Sequence, residues 1–215
     1  MMNKKNRLLI GALTNLIIFG LEVFCLITFI GYLTQGNKDN RFIYFTNISN
    51  LYVGFVAIFN ALFLFLSFVK GKMMYPKLLS LVKYFGLTMT TLTFMAVLLI
   101  LAPVTSYPYM YSGVKIFTHL ITPLLAIISY LFFEEKNEFK WKESWLGVIP
   151  PSIYCLVYII NVVICKSWPD IYKANTKGLW YLYALGVFAL SIAITQGIYF
   201  LKKYIDKKLT NLYLS

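Results

Sequence analysis

The stretch from Phe42 to Asn50, FIYFTNISN, places several hydrogen-bonding side chains at the start of a long apolar run. Within it, Thr46, Ser49 and Asn50 follow spacings of three and four residues, so they share one face of a helix, while Asn47 lies to the side. A hydroxyl becomes a nucleophile when a base removes its proton. The same pattern is also typical of hydrogen bonding between packed helices. In either case a polar face in hydrocarbon must be satisfied by neighbours, so it is predicted to point inward.

Ionisable residues inside apolar segments are the second group that could do chemistry, because a charge is costly in a bilayer. Glu22 lies near the middle of the first apolar segment, and His119, the only histidine, lies near the start of the fourth. Imidazole changes its protonation near neutral pH and suits general base catalysis. His119 is therefore either a base or a structural hydrogen-bonding group between helices. Lys83 and Lys115 lie near segment ends, and we expect them to extend to the nearest interface.

The elements that must position these residues are membrane helices. The chain has 215 residues, is 60% hydrophobic and 13% charged, and has a mean hydropathy of +0.71, which is too apolar for a soluble domain. Six segments are long enough to cross about 30 Å of hydrocarbon. They are residues 8–34, 42–69, 78–102, 113–133, 145–165 and 179–201. We predict an all-α integral membrane bundle of six transmembrane helices that forms one domain, residues 1–215.

The chain has a net charge of +12, and most of its basic residues lie on one predicted side of the membrane. Basic residues concentrate at the amino terminus, in the second and fourth connections and at the carboxyl terminus. By the positive-inside rule both termini are cytoplasmic, and the basic residues face membrane lipids rather than nucleic acid. We predict a multi-pass protein of the cell membrane and leave its oligomeric state open. One histidine, and three cysteines without metal-ligand spacing, predict neither a metal centre nor a cofactor.

The predicted topology places Thr46 and His119 at a similar depth. Both helices enter from the outer side, and at about 1.5 Å per residue Thr46 lies roughly 6 Å below Phe42 and His119 roughly 9 Å below Gly113. A shared depth is necessary for contact between the two side chains, but it does not establish that contact.

The order of these landmarks resembles a known family. The landmarks are Tyr44-Phe45-Thr46, Ser49-Asn50, His119 followed by Pro123, and Trp168-Pro169 before the last helix. They resemble bacterial Pr6Pr-type membrane proteins, which are similar to the eukaryotic androgen-induced-gene family, FAR-17a/AIG1-like. The resemblance implies six helices with cytoplasmic ends, and an intramembrane threonine hydrolase that cleaves fatty-acid esters of hydroxy fatty acids. Thr46 and His119 stand at the positions of its threonine and histidine.

Three interpretations follow for function. In the first, the chain is a lipid-ester hydrolase with Thr46 as nucleophile and His119 as base. In this interpretation the side-chain amides of Asn47 and Asn50 would stabilise the oxyanion, and Glu22 would orient the histidine. Ser49 is an alternative nucleophile. In the second, the chain is a non-catalytic membrane protein that binds or carries a lipid or small molecule. In the third, the polar face only holds helices together.

Overall fold

The computed structural model describes residues 3–35, 41–134 and 140–214. Within these ranges all regular structure is helical and there is no strand. Five of the described helices are long and apolar enough to cross a membrane, and a shorter apolar helix lies between the third and the fourth of them. The all-α class predicted from hydropathy is confirmed, and the chain has the helices of a multi-pass membrane protein.

We number the long helices in chain order. They are α1 (Lys4–Thr34), α2 (Phe45–Lys70), α3 (Lys77–Val104), α4 (Phe117–Phe133), α5 (Trp141–Ile164) and α6 (Trp180–Leu214). The shorter helix is α4. At 1.5 Å per residue it is roughly 25 Å long, which is less than the roughly 30 Å of a hydrocarbon core.

Two helices begin later than the hydrophobic segments predicted. A 3₁₀ turn over Arg41–Ile43 precedes α2, which therefore begins at Phe45 rather than Phe42. Gly113 has a positive φ of 55°, a conformation that favours glycine, and α4 begins after this turn, at Phe117. Thr46 and His119 consequently both lie in the first turn of their helices, within roughly 3 Å of the helix start.

Several helices contain π-helical turns. The π turns span Val97–Leu101, Phe117–Ile121, Ser129–Phe133 and Ile160–Ile164. Each adds a residue to its turn and so rotates the following side chains relative to a regular α-helix. The turn that holds His119 leaves both Thr118 and Thr122 buried, at 2% and 0% exposure.

The beginning of α1 and the final turns of α4 and α6 meet at one end of the bundle, which we call the basic end. Arg7 donates to the carbonyls of Phe132 and Glu134, at 2.6 and 2.8 Å. Lys202 donates to the Glu134 carbonyl at 2.8 Å and pairs with Asp206 at 2.9 Å. The last carbonyls of a helix lack partners within it, so these two cations stabilise the end of the short helix α4.

Lys83 does not extend to an interface, contrary to our expectation. Its side chain is 5% exposed, forms an ion pair with Glu134, and donates to Asn15 Oδ1 at 2.7 Å. Ser129 donates to the same Glu134 carboxylate at 2.8 Å. Because α4 ends inside the bundle, it brings Glu134 into the interior, where a buried charge requires an opposite charge.

Candidate functional site

A cavity of about 330 Å³ lies between α2, α3, α5 and α6, near the end of the bundle opposite the basic end. Most of its wall is apolar. The apolar lining is Phe45, Leu92, Ala96, Val97, Ile100, Leu101, Pro151, Cys155, Gly186, Val187 and Leu190, and the hydroxyl-bearing lining is Thr46, Thr93, Tyr154, Tyr172 and Tyr183. An apolar pocket with a few polar groups is the usual form of a small-molecule binding site.

The cavity is bordered by exposed residues on α3 and α6. Two of its lining residues, Ile100 on α3 and Gly186 on α6, are exposed, which favours an opening between these two helices. A Cβ atom built on Gly186 would have no other atom within 4 Å, so the space beside this glycine is empty. A hydrophobic molecule could therefore enter from the lipid side without passing through water.

Tyr172, from the connection between α5 and α6, closes the cavity near the start of α2. Its hydroxyl accepts a hydrogen bond from the Phe45 N–H at 2.9 Å, and Tyr154 donates to the Ile43 carbonyl at 2.7 Å. Burial raises the pKa of Tyr172 to about 12, so its phenol is neutral near pH 7. The hydroxyl groups of Tyr172 and Tyr154 thus provide hydrogen-bond partners for backbone groups where α2 begins.

Asp170 holds the same connection in place. Its carboxylate accepts hydrogen bonds from the backbone N–H groups of Ala174 and Asn175, at 2.8 and 2.9 Å. Tyr158 donates to Asp170 at 3.0 Å, and its oxygen accepts the Tyr172 N–H at 3.1 Å. The backbone position of Tyr172 therefore depends on Asp170 and Tyr158.

Thr46 lies in the cavity wall, where its hydroxyl makes no hydrogen bond with any residue that the structure describes. Its carbonyl is engaged instead, because Ser49 Oγ donates to it at 3.0 Å and Asn50 Nδ2 at 2.7 Å. The hydroxyl is therefore available to a molecule in the cavity.

Ser49 and Asn50 face inward, as predicted, and Asn47, which was expected to the side of this face, is buried as well. Ser49 and Asn50 are fully buried, and Asn47 is 8% exposed. Ser49 shares a hydrogen bond of 3.0 Å with Thr93 on α3, and Asn50 Nδ2 donates at 2.9 Å to the Thr118 carbonyl on α4. Ser49 and Asn50 therefore join helices, which is the structural interpretation of this face.

His119 does not line the cavity, and it is not hydrogen-bonded to Thr46. Its Nδ1 lies 2.7 Å from the Met110 carbonyl. A carbonyl oxygen only accepts, so Nδ1 carries the hydrogen and Nε2 is the basic nitrogen of the ring. Lys115, which we expected at an interface, lies 3.3 Å from the centre of the exposed Tyr109 ring.

The structure brings the backbones around Thr46 and His119 together without joining the two side chains. Asn50 Nδ2 donates to the carbonyls of both Thr46 and Thr118, the residue before His119. The starts of α2 and α4 thus lie next to each other, joined through Asn50. A catalytic pair of Thr46 and His119 stays a prediction.

Glu22 contacts α4 at a different residue. Thr122 Oγ1 donates to Glu22 Oε1 at 2.7 Å, and Glu22 makes no hydrogen bond with the His119 ring. The predicted orienting role of Glu22 therefore has no direct contact in this structure. The ring of His119 is oriented by the Met110 carbonyl instead.

Comparisons with known proteins do not assign this chain to a family. No family model, curated protein or solved structure matches the chain. The resemblance to the FAR-17a/AIG1-like family stays a prediction. In the part of the chain that the structure describes, no three His, Cys, Asp or Glu side chains come together as a metal site. We therefore infer function from the cavity and its lining.

Tyr154, Tyr183 and Gly186 were not among the residues predicted for the site. They lie in apolar helices far from Thr46 in the sequence, and only packing brings them to one cavity. A tyrosine inside an apolar helix needs a place for its hydroxyl, and this is the sequence signal that could have found the two tyrosines. No pattern in the sequence predicts that Gly186 lines the cavity.

Proposed function

We propose that this chain is a six-span protein of the cell membrane that binds a single-chain amphiphile, such as a fatty alcohol or fatty acid, in the cavity between α2, α3, α5 and α6. The observation that supports this most directly is the apolar cavity, which has exposed lining residues on α3 and α6 and carries in its wall the Thr46 hydroxyl, bonded to no residue that the structure describes.

The size and lining of the cavity favour this class of ligand. Its volume of about 330 Å³ is at the lower end of ligand pockets, which span roughly 300 to 1,000 Å³. One hydrocarbon chain fits such a space better than a lipid with two chains. The apolar wall would bury the chain, and Thr46 would hydrogen-bond to the polar group, because a buried polar group needs a partner.

Binding is tested with a photoreactive fatty alcohol and the purified full chain in lipid nanodiscs. Gly186→Leu fills the open space in the cavity wall. The matched control is Gly197→Leu, on the same helix, where a Cβ atom also meets nothing within 4 Å but which does not line the cavity. We expect crosslinking to Gly186→Leu to fall by about tenfold or more, a loss of roughly 1.4 kcal/mol. Equal crosslinking of both variants would exclude this cavity as the binding site.

The six-span topology with cytoplasmic termini is supported by two features of the basic end. The beginning of α1 and the final turns of α6 lie together there, joined through Arg7 and Asp206 at 3.8 Å. The apolar helix α4 ends near there as well, as expected for a fourth span that runs toward the cytoplasm. Basic residues are retained on the cytoplasmic side.

A cysteine that the chain already contains tests this topology. Cys165 is exposed in the connection after α5, whereas Cys25 and Cys155 are buried. A membrane-impermeant maleimide added to intact cells is expected to label Cys165. In a Cys165→Ser background, Lys72→Cys, at an exposed position between α2 and α3, should react only after lysis. Labelling of Lys72→Cys in intact cells, with Cys165 protected until lysis, would show that the topology is the reverse of the one proposed.

A second candidate function is hydrolysis of a lipid ester bound in the same cavity. It is favoured by the free hydroxyl of Thr46 and by the His119 tautomer, in which Nε2 can accept a proton. Thr46 Oγ would attack the ester carbonyl and pass its proton to Nε2, which would then protonate the leaving alcohol. Water would release the acid from the acyl-threonine. The His119 ring must turn toward Thr46 for this step.

Hydrolysis is tested on a panel of lipid esters with wild type, Thr46→Ala, Thr46→Ser and His119→Ala. If the chain is a hydrolase, Thr46→Ser keeps part of the turnover while the two alanine variants lose it. Equal turnover in all four proteins would remove the catalytic pair. Amphiphile binding without turnover leaves the first proposal standing.

A further inference from the structure

Glu22 is a carboxyl side chain buried in the middle of α1 without a partner of opposite charge. It is 3% exposed, and its Oε1 accepts one hydrogen bond, from Thr122, at 2.7 Å. Its Oε2 is buried and has no hydrogen-bond partner among the residues that the structure describes. Among the described residues, the ion pairs involve other carboxylates, at Glu134, Glu143 and Asp206. An ionised carboxylate is unfavourable in such a place, because burial removes its water and the one hydrogen bond from Thr122 replaces only part of it.

Asn50 provides a second unsatisfied acceptor close to Glu22. Its Nδ2 donates to two carbonyls, and carbonyls only accept, so the amide cannot be reversed and Oδ1 faces away from them. This Oδ1 is buried and receives no hydrogen bond from the described part of the chain. Asn50 stands one turn before Gly54 on the same face of α2, and the Glu22 side chain packs against Gly54. Two acceptors without donors thus lie on adjacent levels beside α4.

The helices packed against α1 bring no free cation to this level. On α4 the basic side chain is His119, bonded to the Met110 carbonyl, and just before α4 Lys115 lies over the Tyr109 ring. On α2 the titratable side chain nearest in sequence to Gly54 is Tyr52, which donates to the Val82 carbonyl on α3. On α1 itself the nearest titratable residue is Cys25, which is buried. None of these groups pairs with the carboxylate.

We propose that Glu22 is an intramembrane proton-binding site, in which the carboxyl group holds one exchangeable proton at Oε2. The proton removes the buried charge and converts an acceptor without a donor into a donor. It fits this site better than a metal cation does, because a metal ion needs several oxygen ligands and the carboxylate has only the Thr122 hydroxyl bonded to it. The inference is independent of what the cavity between α2, α3, α5 and α6 binds.

Infrared spectroscopy of the full chain in lipid tests whether Glu22 carries the proton. A protonated carboxyl group gives a C=O band separate from that of a carboxylate. We expect this band in the wild type at neutral pH, its loss in Glu22→Gln, and its retention in Glu134→Gln, whose carboxylate is buried but paired with Lys83. We also expect the band to shift in D₂O, because the proton exchanges. An unchanged band in Glu22→Gln, or no shift in D₂O, would overturn the proposal.

Chemical modification gives a second, independent reading. The O–H of a protonated carboxyl adds across a C=N bond of dicyclohexylcarbodiimide, and the product rearranges to a stable N-acylurea without a further reactant. We expect mass spectrometry to find the adduct on Glu22 and not on Glu134, with labelling that declines as the pH rises. Labelling of Glu134 in preference to Glu22 would contradict the assignment of the proton.

Discussion

The Glu22 side chain packs directly against Gly54, where α1 crosses α2. A Cβ atom built on Gly54 would lie 2.5 Å from Glu22 Cβ and 2.9 Å from Glu22 Cγ. Real Cβ atoms do not approach so closely, so this crossing requires glycine. The contact also keeps the Glu22 carboxyl within reach of Thr122 on α4, which makes Gly54 important for both packing and the proposed proton site.

Gly54→Ala is expected to destabilise the protein. The added methyl group must push α1 away from α2, and overpacking of this kind costs about 1 to 3 kcal/mol. Thermal unfolding in detergent measures the change. Gly20→Ala on α1 is the matched control, because a Cβ atom there meets nothing within 4 Å. Similar melting temperatures for the two variants would show that the helices do not cross this closely.

Substitutions of Lys83 and Glu134, which form a buried ion pair, are expected to have strongly coupled effects on the free energy of unfolding. Lys83→Met or Glu134→Gln alone leaves one buried polar or charged group without its partner, at a cost of about 3 to 5 kcal/mol. The double variant removes both charges, so it should lose less stability than the sum of the single changes. Unfolding free energies of the four proteins give the coupling energy. Additive effects would mean that the two charges do not interact.

Lys202 and Lys203 are neighbours whose replacement is expected to change stability by different amounts. Lys202 is 1% exposed and donates to the Glu134 carbonyl at the end of α4, whereas Lys203 is exposed. Lys202→Met removes one of the two donors to this carbonyl, the other being Arg7, and the ion pair of 2.9 Å with Asp206, a loss of about 1 to 3 kcal/mol. Lys203→Met should change stability by no more than about 0.5 kcal/mol. Equal losses would contradict the role of Lys202 as a partner of α4.

Asp170→Asn is expected to loosen the connection between α5 and α6. The amide that replaces one carboxylate oxygen cannot accept a backbone N–H, so Ala174 or Asn175 loses its partner. We expect faster hydrogen exchange in residues 170–176 and weaker crosslinking of the fatty alcohol, because Tyr172 closes the cavity from this connection. Lys173→Gln, an exposed change in the same connection, should alter neither. Unchanged exchange in Asp170→Asn would show that Asp170 does not hold the connection.

Helix starts were less predictable from sequence than helix cores. Hydrophobicity continued through Phe42 and Gly113, yet α2 begins at Phe45 and α4 at Phe117. A hydropathy pattern averages over many residues, whereas a helix start depends on the backbone conformation of one or two. The positive φ of Gly113 is such a local event. It moves His119 into the first turn of α4.

The helical class, the apolar segments and the inward polar face of α2 were predictable from the sequence, with Ser49 and Asn50 buried as predicted. These features follow from hydropathy and from the 3.6-residue period, which are local properties of the chain. In contrast, helix packing is needed to show that Lys83 pairs with Glu134, that Thr46 faces a cavity, and that Glu22 contacts Thr122 rather than His119. Each of these contacts joins residues far apart in sequence. Their geometry depends on how the helices cross and on π turns that rotate side chains, and neither can be read from local pattern.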